Sequence, residues 1–125
     1  MLDHVGFEVS DYQRSRAFYE RALEPLGLTL LMEPGPHIGG FGLPSDGKPF
    51  FWIASRGGPA ASGVHVAFVA PSTKVVDSFH AAALAAGATD NGGPGKREIY
   101  HPRYYGAFVL DPDANNVEAV CHSAP

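Results

Sequence analysis

The chain is poor in cysteine, in tryptophan and in charge. Cys121 is the one cysteine among 125 residues, so no internal disulfide can form and a reducing, cytoplasmic setting is expected. Lys and Arg total 9 against 13 Asp and Glu, a formal net charge of −4. The basic stripe that displaces counterions from phosphates is therefore missing, and nucleic acid is not an expected partner. No apolar run approaches the ~20 residues that span a bilayer. No charged segment followed by an apolar stretch reads as a secretory leader. Membrane association and export are both outside expectation. What the chain does have is 15 glycines and 11 prolines. So many breakers imply short strands and two helices, not a helical bundle. An apolar content of 45% with 18% charged residues describes a globular chain with a core, of a length that suits one domain.

One stretch organises the rest. In Asp3-His4-Val5-Gly6-Phe7-Glu8-Val9 the odd positions are apolar and the even ones are His4, Gly6 and Glu8. Period-two alternation predicts a strand with Val5, Phe7 and Val9 on a core and the others on the opposite face. Ser10 with Gln13 reads as a capping box. Ser15, Phe18, Tyr19, Ala22 and Leu23 recur at helical spacing, and Pro25 and Gly27 end the helix. Short strands are expected near Leu28 to Met32, Ile38 to Leu43 and Phe50 to Ala54, and the stretch from Gly57 to Gly63 reads as a linker.

The same pattern returns in Val64-His65-Val66-Ala67-Phe68-Val69. The spacing that carries His4 onto His65 also carries Phe7 onto Phe68, Phe18 onto Phe79, Ala22 onto Ala83 and Leu23 onto Leu84. Ser72 is the expected cap of a second helix, which Gly87 closes. A very short strand at Thr89, one at Glu98 to His101, one at Tyr105 to Leu110 and one at Asn116 to His122 follow. The fold class is therefore α+β. Two β-α-β-β-β modules, about residues 1–57 and 63–125, are expected to form a curled mixed sheet around a cavity.

His4, His65 and Glu118 each fall on a strand face turned away from a helix. A carboxylate in mid-strand needs a partner, because burying it alone is costly. Two imidazoles and a carboxylate form the donor set of an open divalent-metal site, with Fe, Mn, Zn, Ni and Co all compatible. Three protein donors leave room for substrate, the condition for Lewis-acid catalysis.

The motifs His4-Val5-Gly6-Phe7, Ser15-Arg16-Ala17-Phe18-Tyr19, Leu26-Gly27 and Asp111-Pro112-Asp113-Ala114-Asn115-Asn116-Val117-Glu118 resemble the vicinal oxygen chelate superfamily. That group includes glyoxalase I, fosfomycin-resistance and bleomycin-resistance proteins and extradiol dioxygenases. The resemblance implies His4, His65 and Glu118 as metal ligands. It also implies a homodimer in which His4 comes from one chain and His65 with Glu118 from the other. Glyoxalase I enzymes carry a second glutamate on the last strand of the first module. Aligning Asp46 with Asp113 puts Phe51 at that place, which counts against that reaction. Phe108 stands where the extradiol pattern has a tyrosine. Ala114 replaces the usual turn glycine, so Asn115 is expected to take the positive-φ position.

Further candidates gather in one segment. His101 is a candidate general base. Tyr100, Tyr104, Tyr105 and Arg97, together with Phe51, are candidates for binding a small-molecule substrate. Two functions follow from different classes. One is a metal-dependent enzyme of lyase or dioxygenase type, acting by isomerisation, addition or oxygenation. The other is a non-catalytic drug- or metabolite-binding protein of the bleomycin-resistance kind.

Overall fold

Alternation in the opening stretch produces strand β1, Val5–Glu8, and its apolar positions go inward as expected: Val5 and Phe7 pack on the core and Val9 is buried. The computed structural model describes residues 1–125. Helix α1, Tyr12–Ala22, starts one residue later than the capping box suggested. Asp11 is its N-cap and accepts from the Arg14 backbone amide. Ser10 instead turns to the far end of the chain, where its backbone N and its Oγ donate to the Asp113 carboxylate at 3.1 and 2.5 Å. A 3-10 turn, Glu24–Leu26, ends at Gly27 with φ 78°, a conformation that costs glycine little. Strands β2 (Thr29–Gly35), β3 (Ile38–Gly42) and β4 (Phe51–Ala54) complete the first half.

The second half repeats the plan. Strand β5, His65–Val69, leads to helix α2, Thr73–Ala85, whose cap is Ser72 as predicted. Two short strands follow, β6 (Thr89–Asp90) and β7 (Gly95–Lys96), then β8 (Tyr105–Leu110) and β9 (Asn116–Cys121). Glu98 to His101 is not a strand. It forms a turn closed by Tyr100 N donating to Arg97 O, and Pro102 prevents continuation of a ladder there.

Each half has its own mixed sheet. The strand orders are β1-β4-β3-β2 and β5-β9-β8-β6, with β7 added on β8. In both, the first strand lies parallel to the last and all other pairs are antiparallel. The sheets share one core of 20 buried residues drawn from both halves. Phe51 shows the continuity: its ring meets Phe7 at 5.6 Å, Tyr19 at 5.0 Å and, from the second half, Phe68 at 5.3 Å. The turn between β8 and β9 is fixed by Asp111, whose Oδ1 accepts from the amides of Asp113 and Asn115. The positive φ in that turn falls on Ala114, at 65°. Asn115 is held elsewhere, because its side chain accepts from Val64 N and donates to Ala61 O and Asp111. No helix is long and apolar enough to cross a membrane.

Candidate functional site

The pleat separates a helix-covered face from an open face on each sheet, and the chemistry lies on the open ones. On the second sheet, Val117, Ala119 and Cys121 of β9 enter the core, so Glu118 faces the other way. Glu118 nevertheless is 1% exposed, and its partners explain how a carboxylate is tolerated there. His65 Nε2 lies 2.9 Å from its Oε1. The phenol of Tyr104 donates to its Oε2. Gly106 leaves the space that the carboxylate occupies, since a β-carbon there would stand 3.0 Å from Oε2. Burial, and then the hydrogen bond to Glu118, raise the Tyr104 phenol above its ordinary value. The phenol is therefore a donor at neutral pH, with Glu118 Oε2 as its acceptor.

On the first sheet, His4, Gly6, Glu8, Ile38, Trp52 and Arg56 line a cavity of about 530 Å³. His4 is exposed and hydrogen-bonds only its neighbour Asp3, at 2.6 Å. One oxygen of Glu8 accepts from the Arg56 backbone amide at 2.8 Å. Within a single chain no three His, Cys, Asp or Glu side chains come together as a metal site. His65 and Glu118 converge, whereas His4 lies on the other sheet. The two that meet present an imidazole nitrogen and a carboxylate oxygen to one point, a donor pair suited to a divalent ion. The chemistry of the set thus fits a metal, with further donors required.

Register settles the position matched to Glu118. In the second sheet Glu118 sits beside Ala67, and in the first sheet Gly6, which corresponds to Ala67, sits beside Trp52. The residue in question is Trp52, and the alignment that put Phe51 there is one residue out. Phe51 points to the opposite face and is 0% exposed in the core, so it cannot touch a substrate in this structure. Tyr105 is corrected for the same reason. Alternation along β8 sends it to the helix side, where its hydroxyl donates to Asp77 of α2 at 2.7 Å. Tyr104 and Phe108 take the open face with Glu118.

The other candidates form a rim. Tyr100 is exposed and packs on Tyr104 with ring centroids 4.8 Å apart. The Arg97 guanidinium lies 5.4 Å from the centre of the Phe108 ring. His101 stacks on His122, which its place near the chain end had suggested was peripheral. The Arg103 backbone amide donates to His101 Nδ1 at 3.1 Å, and His101 Nε2 lies 3.0 Å from His122 Nδ1. Nδ1 is thus an acceptor, so in a neutral ring Nε2 carries the hydrogen and donates to His122. Both nitrogens of His101 are thus engaged, one with the Arg103 amide and one with His122. Sequence reasoning gave Trp52 a core or dimer contact and His122 a peripheral place, for want of a visible partner for either. The signal for Trp52 was the glycine placement, with Gly6 and Gly40 falling on the strands to either side.

Comparison with known proteins agrees with this geometry. The family model described as Glyoxalase/Bleomycin resistance protein/Dioxygenase superfamily matches residues 1–119. No curated protein sequence matches. A solved glyoxalase/bleomycin resistance protein from Albidiferax ferrireducens is 31% identical, with a TM-score of 0.81 over 97% of this chain and 98% of its own. A glyoxalase/bleomycin resistance protein/dioxygenase family enzyme from Burkholderia phytofirmans is 22% identical, with a TM-score of 0.72 over 94% of this chain and 95% of its own. A glyoxalase-related enzyme from Fulvimarina pelagi, 16% identical, has a TM-score of 0.71 over 97% of this chain and 87% of its own. With the repeated module, the paired sheets and a family match across nearly its whole length, this chain belongs to the Glyoxalase/Bleomycin resistance protein/Dioxygenase superfamily.

Proposed function

We propose that the protein is a divalent-metal-dependent enzyme acting on a small substrate through neighbouring oxygens. The observation that carries this reading is the convergence of His65 Nε2 and Glu118 Oε1 at 2.9 Å on an open sheet face. His65 and Glu118 of one chain would hold the ion, and His4 of a second copy would complete the set in a homodimer with shared sites. Fe, Mn, Zn, Ni and Co all suit these donors. When bound, the ion supplies Lewis acidity to two neighbouring substrate oxygens. The chain's own groups do the rest. Tyr104 fixes the Glu118 carboxylate by donating to Oε2, an outer partner that sets its orientation. Tyr100 and Arg97 bound the rim on which substrate enters. Trp52 at the position matched to Glu118 removes a second carboxylate, which favours a lyase or dioxygenase type of reaction over that of a glyoxalase I. A single buried thiol, Cys121, suits work in the cytoplasm.

The test is metal analysis of protein purified without chelator, alongside His65→Ala and Glu118→Gln. Stoichiometric metal that both substitutions abolish supports the reading. Equal metal content in all three proteins would overturn it.

A second reading has its own observation. The cavity on the first sheet is lined by Trp52 and by apolar side chains, as a binding protein without turnover would use it. Ligand capture that survives chelator, with no chemical change in the ligand, would favour that function over catalysis.

A further inference from the structure

Trp52 does not simply occupy a surface position; the sheet around it is cut to receive its ring. Its neighbours across the ladders are Gly6 on β1 and Gly40 on β3. A β-carbon at Gly40 would stand 2.9 Å from both Cε2 and Cη2 of the indole and 2.8 Å from Pro49 Cβ. A β-carbon at Gly6 would stand 3.0 Å from Trp52 Cβ. The six-membered ring therefore lies down over Gly40, in space that any other residue would fill. Neither glycine has a positive φ, so close approach of the ring, not backbone conformation, requires them. The second half lacks this arrangement: Glu118 stands between Ala67 and Phe108. The bulk has moved from the flanking strand to the central one.

The charged groups around the ring are also particular. Glu8 spends one carboxylate oxygen on the Arg56 amide. Arg56 itself lines the same cavity, and its side chain makes no ion pair or hydrogen bond of its own. An indole and an arginine without a partner that line one cavity suit a planar aromatic molecule with an anionic group. We propose that Trp52 is a stacking platform for a planar aromatic acid, whose ring lies on the indole and whose carboxylate is met by Arg56. This rests on the first-sheet cavity being the substrate side of the site proposed above.

Trp52 is the only tryptophan in the chain, so its fluorescence reports on the platform directly. The full chain is titrated with naphthoate, naphthamide and cyclohexanecarboxylate in the presence of chelator. Saturable quenching by naphthoate is expected, with cyclohexanecarboxylate about two- to tenfold weaker by calorimetry, the scale of an aromatic contact. Arg56→Gln should weaken naphthoate and leave naphthamide unchanged. Trp52→Leu, followed by calorimetry, should lose the preference for the aromatic acid. Gly40→Ala should shift the emission and weaken binding by lifting the indole. Equal affinity for the aromatic and saturated acids, or no saturable binding, would overturn the platform. An equal effect of Arg56→Gln on acid and amide would overturn the role of Arg56. The metal reading fails separately: quenching that persists in His65→Ala protein from a metal-free preparation leaves the platform intact. Metal-bearing protein with no quenching removes only the platform.

Discussion

Tyr19 of α1 donates its phenol hydrogen to Asp111 Oδ2 at 2.5 Å, and both residues are buried. The bond ties the first helix to the turn that precedes the Glu118 strand. Asp111 also receives the amides of Asp113 and Asn115 and the Asn115 side chain, so the carboxylate that shapes the turn is itself positioned from the other half. Tyr19→Phe keeps the ring contacts with Phe18 and Phe51 and removes only the donor. A loss of about 1–3 kcal/mol is expected, read as a lower urea midpoint with an unchanged slope.

Alkaline pH should weaken the fold through the same chemistry. Tyr12, Tyr19 and Tyr104 all donate to carboxylates, of Glu33, Asp111 and Glu118. Burial first, then the carboxylate, raises each phenol above its ordinary value. Unfolded, these groups lose their protons near the ordinary value of about 10. The folded chain retains them at that pH, so unfolding releases protons and stability falls as pH rises. The contribution is fully present below about pH 10 and is lost above it. Urea unfolding measured from neutral to alkaline pH should show that decline, and Tyr19→Phe should make it shallower. A decline equally steep in the variant would refute the assignment.

Ala114 holds a φ of 65° on an exposed turn. An L side chain is strained there by about 1–2 kcal/mol, and glycine is not. Ala114→Gly relieves that strain while adding some unfolded-state freedom, so a net gain of about 0.5–1 kcal/mol is expected. Thermal unfolding of the two proteins side by side provides the measurement. The bonds of the turn involve its backbone, with Ala114 N donating to Asp111 O and its carbonyl accepting from Gly63 N, so none is removed.

Tyr104→Phe tests the support of Glu118 without touching a proposed ligand. Removing an outer partner of a ligating carboxylate typically costs about 10–100-fold in metal affinity. Competition with a chelator, with folding checked by circular dichroism, should show a loss in that range. An unchanged metal affinity would mean that Glu118 needs no help from Tyr104.

Much of this was legible in sequence because it is periodic or local. Alternation placed Val117, Ala119 and Cys121 inward and Glu118 outward, and Ser72 capped α2 as its position suggested. The errors come from effects that local pattern does not carry. Phe51 and Trp52 are adjacent large aromatics, and a register error of one residue in a strand exchanges the two faces. Tyr104 and Tyr105 pose the same ambiguity, resolved only by Asp77 on the helix and Glu118 on the sheet. Ser10 left its expected capping role for Asp113, an acceptor at the other end of the chain. Ala114 takes the strained φ because Asn115 is recruited by Val64 and Ala61.

The contact between Ser10 and Asp113 spans 103 positions, and Arg14 joins it at 3.4 Å. During synthesis the loop after β1 therefore leaves the ribosome long before its partner exists. The first module must wait with Ser10 and Tyr19 unpaired until the last hairpin is made. Closing so long a loop is slow relative to forming α1 or α2 locally. The β8–β9 hairpin thereby ties its turn to the segment that follows β1.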